Sequence, residues 1–178
     1  HEYSLRESKG KVKKVDMVIF IDRREPTILI ECKKANTNLT ERNFNQLASY
    51  YHFHKESKLG ILTNGIVYKF YSRNLDDKGE LNPTPFVTFD LNDYDMNDIE
   101  ELVRFYRLSI NVKEIMEEAS EIYFLERFDE GLLRTLYKPD EDFIKLVYRN
   151  MGGKRITDRI RDKIFNLINS ISLNNTVD

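Results

Sequence analysis

Apolar and polar residues alternate in two neighbouring stretches near the start of the chain, and this period of two is typical of half-buried strands. In residues 15–22 the apolar side chains at 15, 17, 19 and 21 share one face, and the other face begins with Asp16 and ends with Asp22. Residues 27–34 read TILIECKK, so Leu29, Glu31 and Lys33 share a face. The short polar connection before Pro26 predicts antiparallel pairing, with Asp16 near Glu31 and Lys33.

The next segment of the chain has the periodicity of a helix. Phe44, Leu47, Ala48 and Tyr51 are spaced for one face of a helix over residues 41–56, with Thr40 as its N-cap. An apolar strand is predicted at 59–63, and the pair Asn64-Gly65 is typical of a hairpin leading to a strand at 66–72. After a polar loop over 74–85, a last strand is predicted at 86–91.

From residue 93 onward the pattern is helical. Asn97 is a candidate N-cap for a helix to about residue 108, Asn111 can start another, and helices are predicted at 140–150 and 157–171. The predicted order is strand, strand, helix, strand, strand, strand, then four helices, which is an α/β mixed sheet with a crossover helix and an all-helical C-terminal extension. We place the domain boundary between a core of residues 1–92 and a helical extension of residues 93–178, packed on or docked to the core.

Composition narrows the class of protein. The 178 residues are 40% hydrophobic and 33% charged, with one cysteine and no apolar run long enough to span a membrane, so we expect a folded cytoplasmic protein without disulfides. The chain begins with His1 rather than methionine, which fits either a fragment of a longer protein or a tag remnant. The net charge of −2 divides unevenly: residues 1–75 hold 14 Lys/Arg against 8 Asp/Glu, and the remainder is acidic. A basic half suits a polyanionic partner, and two solvated surfaces explain the charge equally well.

Charged residues at the end of an apolar strand require a partner or a ligand. Asp16 and Glu31 offer the oxygen ligands that Mg²⁺ or Mn²⁺ takes in proteins, and the backbone carbonyl of Cys32 lies between Glu31 and Lys33. Such an ion lowers the pKa of a bound water and neutralises charge on a phosphodiester. Lys33 is placed to orient that water, to act as its base, or to stabilise developing negative charge. The alternative is a structural ion pair at a sheet end.

These residues resemble the PD-(D/E)XK nuclease pattern. VDMVIF contributes Asp16, ECKK contributes Glu31 and Lys33, and Gln46 with Tyr50 resembles the Gln-x-x-x-Tyr element of nucleases linked to translocating motors. LTNGIVYKFY is similar to the hairpin that follows in the N-terminal domain of type I restriction enzyme R subunits. The resemblance covers roughly residues 3–91. It departs from the family at Val15, where the naming proline is absent, and in lacking the opening helix with its further acid, for which Glu2 or Glu7 are weak substitutes.

The resemblance implies a restriction-endonuclease-like core and a Mg²⁺-dependent, or Mn²⁺-dependent, DNA endonuclease used in restriction of foreign DNA. Asp16 and Glu31 would hold the metal, Lys33 would complete the catalytic set, and Gln46 and Tyr50 would support the DNA side. Motor, modification and specificity subunits of a restriction system are the implied partners. The alternative function is a non-catalytic DNA-binding or assembly module that keeps the nuclease fold.

Other polar groups have competing interpretations. Gln46 and Tyr50 also suit ordinary helix packing. Cys32 suits a small core residue, since no histidine is placed to activate it. His52 and His54 diverge on the predicted helix and do not suit shared metal binding. The lysines of the N-terminal region fit either DNA backbone contacts or a flexible tail (Lys9, Lys11, Lys13, Lys14). The segment from 152 to 155 faintly resembles a phosphate-binding loop, but it lacks the earlier glycine and the preceding strand, so we interpret it as a helix cap with two solvated cations (Gly152, Gly153, Lys154, Arg155).

Overall fold

The protein is described by a computed structural model covering residues 3–6, 12–21, 26–74, 79–106 and 108–174. The strands are β1 (Tyr3–Arg6), β2 (Val12–Val15), β3 (Met17–Ile19), β4 (Ile28–Cys32), β5 (Leu59–Thr63), β6 (Val67–Ser72) and β7 (Val87–Asp90). The helices are α1 (Glu41–Tyr51), α2 (Met96–Val103), α3 (Val112–Tyr137), α4 (Glu141–Asn150) and α5 (Asp158–Asn174). None of the helices in these ranges is long and apolar enough to cross a membrane.

The main sheet has five strands in the order β3-β4-β5-β6-β7. Only β4 and β5 are parallel, and α1 connects them, as the crossover rule requires for parallel neighbours. The other neighbouring pairs are antiparallel. The predicted α/β class, with its mixed sheet, crossover helix and helical C-terminal region, is confirmed.

A second sheet was not predicted. β1 and β2 form an antiparallel pair in which Tyr3 lies opposite Val15. β2 reads VKKV, which has no alternation of apolar and polar residues to mark a strand. Glu2, Glu7, Lys9, Lys11 and Asp22 lie outside the described residues.

The two faces of β4 enter separate apolar cores. Leu29 belongs to the α1-side core, which is the cluster Val15, Leu29, Leu47, Tyr50, Tyr51, Leu62, Tyr71 and Leu81. Ile28 and Ile30 belong to the opposite core, which they form with Leu59, Ile115 and Met116. Burial on both faces explains the continuous apolar run in β4.

The apolar face predicted for the first strand is divided, because Val15 is fully buried in the α1-side core and Met17 and Ile19 are exposed. Met17 is 51% exposed and Ile19 is 39% exposed, whereas Val18 packs against the α1-side core. The single strand predicted over residues 15–22 is divided at Asp16, with Val15 at the end of β2 and β3 limited to Met17–Ile19, so Val15 and Val18 pack in the same core. Alternation marked the strand correctly, but which face is buried depends on what covers the sheet.

Three predicted helix limits were wrong. α1 ends at Tyr51 rather than near residue 56, because the Arg73 guanidinium donates hydrogen bonds to the carbonyls of Tyr51 and His54 at 3.2 and 2.9 Å and so satisfies the end of the helix. α2 begins one residue before the proposed cap Asn97, since the Asp95 carboxylate accepts the Asn97 amide at 2.7 Å, and it ends at Val103.

The chain divides into two compact units, His1–Tyr123 and Phe124–Asp178. The first contains both sheets, α1, α2 and the start of α3. In the second, Arg161 bonds to Asp158 and Glu141 at 2.7 and 3.4 Å, and Ile144 and Ile164 are buried. The boundary proposed after residue 92 remains a prediction.

Candidate active site

Asp16 lies one position beyond the last paired residues of β3 and β4. The β3–β4 register sets Met17 opposite Ile30, so Asp16 is level with Glu31. Its Oδ2 accepts the backbone N–H of Cys32 at 2.7 Å. A side-chain carboxylate therefore takes the place that a backbone carbonyl would occupy in a longer β3, and this fixes Asp16 against the end of β4.

Glu31 is the most deeply buried charge of the site, with 2% of its surface exposed. Lys33 Nζ donates to its Oε1 at 2.5 Å, and the Tyr50 hydroxyl donates to its Oε2 at 2.8 Å. Both oxygens thus have a donor, which is the condition for keeping an ionised carboxylate inside a fold.

Gln46 closes the arrangement into a ring. Its Oε1 accepts from Lys33 Nζ at 2.9 Å, and its Nε2 donates to the Tyr50 oxygen at 3.1 Å. Glu31, Lys33, Gln46 and Tyr50 therefore form a closed circuit of four hydrogen bonds, which we name the Glu31 ring. Two members come from the end of β4 and two from one face of α1, because residues four apart on a helix point the same way.

Two groups at the site, the Tyr50 phenol and the Cys32 thiol, have raised pKa values. Burial raises the pKa of the Tyr50 phenol well above its usual value, and the adjacent Glu31 carboxylate raises it further, so Tyr50 remains a donor. Burial also raises the pKa of the Cys32 thiol, with Asp16 and Glu31 adding to the shift. The thiol is therefore kept protonated, as expected for a packed residue rather than a nucleophile.

The donor set matches a hard divalent cation. Glu31 and Asp16 are ionisable oxygen ligands from adjacent strands, and the described hydrogen bonds use two acceptor sites on Glu31 and one on Asp16. A carboxylate offers about four such sites, so both residues keep capacity for a metal. Among the described residues no cluster of three or more His, Cys, Asp or Glu could hold a metal. Mg²⁺ commonly takes only one or two protein carboxylates with waters, which agrees with this sparse set.

Lys13 and Ser49 adjoin the site and were not assigned to it from sequence. Lys13 Nζ donates to Ser49 Oγ at 2.7 Å and lies 5.9 Å from the centroid of the Tyr50 ring. Ser49 Oγ in turn donates to the Gln46 carbonyl at 2.6 Å. Lys13 is therefore fixed against α1 rather than part of a flexible tail. No pattern in the sequence indicated this position, because β2 reads VKKV and does not alternate.

The two histidines lie in the turn after α1 and not on the helix as predicted. His54 Nδ1 is 3.0 Å from Ser57 Oγ. The segment at 152–153 is a helix end, since Gly152 has a φ of +86° and its N–H bonds to the Arg149 carbonyl at 2.9 Å. This agrees with a cap rather than a phosphate-binding loop.

Residues 1–84 match the family model described as Type I restriction enzyme R protein N terminus. No curated protein and no solved structure matches the chain. The matched range contains Asp16 and every member of the Glu31 ring.

Proposed function

Residues 1–84 belong to the N-terminal domain family of type I restriction enzyme R proteins, a PD-(D/E)XK nuclease-like domain, and on this premise we propose that the protein is a Mg²⁺-dependent DNA endonuclease. Restriction of foreign DNA is its proposed role. The observation that carries the proposal is the Glu31 ring beside Asp16, which holds two carboxylates, a lysine and an amide at one edge of the sheet.

Asp16, Glu31 and the Cys32 carbonyl are the proposed metal ligands, and Mn²⁺ is expected to replace Mg²⁺. When bound, the ion supplies a water of lowered pKa and neutralises charge on the phosphate. The bond from the Cys32 N–H to Asp16 supports this set, because the N–H and C=O of one strand residue point to the same side. The Cys32 carbonyl therefore faces the Asp16 side of β4.

Lys33 is the proposed partner of the attacking water. Its side chain is 18% exposed, so the ammonium reaches solvent while bonded to Glu31 and Gln46. From this position it can orient a water and stabilise charge that develops on the phosphate. Gln46 is exposed and Tyr50 is buried, so the Gln46 amide is the member of α1 that can reach the DNA.

Family membership also suggests partners. R proteins are components of restriction enzymes, and we propose that motor, modification or specificity subunits of such a system act with this chain on DNA. Cleavage that appears only with those partners agrees with the proposal.

The direct test is nicking of plasmid DNA by the purified protein with Mg²⁺ or Mn²⁺. Cleavage is expected only with metal, and Lys33→Ala is expected to remove it while DNA binding stays. Lys113→Ala, at an exposed lysine paired with Glu117 on α3, is the matched control. If no enzyme excess nicks DNA, the free-standing nuclease is wrong. Binding of Mn²⁺ that is lost in Asp16→Ala then indicates a partner-dependent nuclease, and absence of binding indicates a non-catalytic DNA-binding or assembly module.

A further inference from the structure

A cavity of about 300 Å³ lies in the same unit as the Glu31 ring, on the other flank of α1. Its lining includes Phe44, Asn45, Lys69, Tyr71, Pro83 and Pro85. This volume is at the lower end of the range for small-ligand sites. The walls combine flat apolar side chains with a cation, an amide and a phenol.

Two polar groups of this cavity have no partner among the described residues. Tyr71 is 3% exposed, and its hydroxyl makes no hydrogen bond with them; burial raises the pKa of Tyr71 to about 12. The half-buried Lys69 ammonium likewise forms neither an ion pair nor a hydrogen bond there. Both atoms reach solvent at the cavity, so they are available to a ligand that brings an acceptor and a negative charge.

The sheet register relates this cavity to the Glu31 ring. Glu31 pairs with Leu62 and Leu62 pairs with Lys69, so the three residues form one row across β4, β5 and β6 on the α1 side. Neighbouring strands are about 4.8 Å apart, which puts the backbone of Lys69 about 10 Å from that of Glu31. A DNA strand that passes over the first turn of α1 can therefore reach both places.

We propose that this cavity binds one unstacked nucleotide of the DNA strand held at the Glu31 ring. Its base lies against Phe44 and the prolines, the Tyr71 hydroxyl and the Asn45 amide bond to the base edge, and Lys69 contacts the phosphate. Aromatic and apolar walls with a nearby cation are the usual means of holding an unpaired base. The Glu41 carboxylate also lines the cavity, and it disfavours a free phosphate while offering an acceptor to a base amino group.

The inference rests on the proposed function for the presence of DNA, and binding without metal tests it separately from cleavage. The probe is a short duplex with a single-stranded overhang containing 2-aminopurine, compared with a blunt duplex of the same length. We expect tighter binding of the overhang substrate and a change in 2-aminopurine fluorescence when the base enters the cavity.

Two variants remove the open groups while keeping the shape of the cavity. Tyr71→Phe is expected to weaken overhang binding about three- to tenfold, the range of one hydrogen bond, with little effect on the blunt duplex. Lys69→Met is expected to lower the salt dependence by about 0.7 in the slope of log K against log salt, the value for one phosphate contact on a single strand. Lys113→Met is the matched control.

Equal binding of both substrates by all three variants and the unmodified protein would overturn the inference and leave the nuclease proposal in place. Absence of DNA binding would overturn it as well. Loss of overhang preference in Tyr71→Phe and Lys69→Met, in a protein that cuts no DNA, would support the cavity assignment and contradict the free-standing nuclease.

Discussion

Tyr50 donates its hydroxyl proton to Glu31 across 19 residues of sequence, at 2.8 Å. This bond connects α1, the crossover helix between the parallel strands β4 and β5, to the buried Glu31 carboxylate at the end of β4. Removing the hydroxyl in Tyr50→Phe leaves one oxygen of a buried carboxylate without its donor. We expect the free energy of unfolding to fall by about 1–3 kcal/mol, measured by urea denaturation.

The control for this change is Tyr94→Phe, at a ring that is more than half exposed. It is expected to leave the urea midpoint unchanged. Equal midpoints for Tyr50→Phe and Tyr94→Phe would show that the hydroxyl of Tyr50 adds nothing to the stability of Glu31.

Two substitutions of Asp16 are expected to separate its structural role from its proposed role in metal binding. Asp16→Asn keeps an oxygen that can accept the Cys32 N–H, whereas Asp16→Ala removes it. In calorimetric melting without metal, Asp16→Ala should therefore melt lower than Asp16→Asn. With Mn²⁺, the unmodified protein should gain stability and both variants should lose most of that gain, because a ligand of the native state stabilises it.

Asp93→Ala, at an exposed aspartate after β7, should respond to Mn²⁺ like the unmodified protein. If Asp16→Asn and Asp93→Ala gain the same stability from Mn²⁺, Asp16 is not a metal ligand.

Alkaline pH should destabilise the first unit. Burial raises the pKa of Tyr71 to about 12, against about 10 in an unfolded chain. Between these values the folded form holds a proton that the unfolded form has lost, so stability is complete below pH 10 and falls as pH rises toward 12. The expected slope for this group is about 1.4 kcal/mol per pH unit. Denaturation curves from pH 9 to 12 measure it.

Tyr71→Phe should make that loss of stability less steep, and Tyr94→Phe should not. An unchanged slope in Tyr71→Phe would mean that other groups, such as the buried Tyr50 and Tyr51, account for the alkaline response.

Gly60 lets α1 approach β5. A Cβ at this position would lie 2.9 Å from the Tyr51 hydroxyl oxygen and 3.2 Å from a methyl carbon of Leu47. Gly60→Ala should lower the free energy of unfolding by about 1–3 kcal/mol, as overpacked cores do. Gly131→Ala is the matched change, since nothing lies within 4 Å of its Cβ in α3, and it should stabilise the helix by about 0.5–1 kcal/mol. Thermal melting of both variants checks the opposite signs.

The sequence predicted the parts of the site that depend on short connections. The period of β4 put Glu31 and Lys33 on one face, the antiparallel register of β3 and β4 set Asp16 level with Glu31, and helical spacing aligned Gln46 with Tyr50. These relationships are local, or they cross one connection, so spacing determines them. That the two pairs meet in a ring follows from how α1 packs on the sheet, which no local pattern encodes.

The parts that were missed depend on contacts between distant segments. The end of α1 is set by Arg73, which lies 22 residues beyond Tyr51, and the burial of Val18 rather than Met17 is set by packing against the α1-side core. The cavity beside Lys69 likewise combines side chains from α1, β6 and the loop before β7. Composition and periodicity contain no information about such contacts between distant segments.

The hydrogen bonds of the Glu31 ring bear on whether the protein can fold before it binds a metal. Many small metal-binding domains unfold without their ion, because the free energy of metal binding is part of their free energy of folding. Here Lys33 and Tyr50 already satisfy both oxygens of Glu31. The proposed metal is therefore not needed to satisfy Glu31 during folding, and on that proposal its binding would be a separate, later and reversible event.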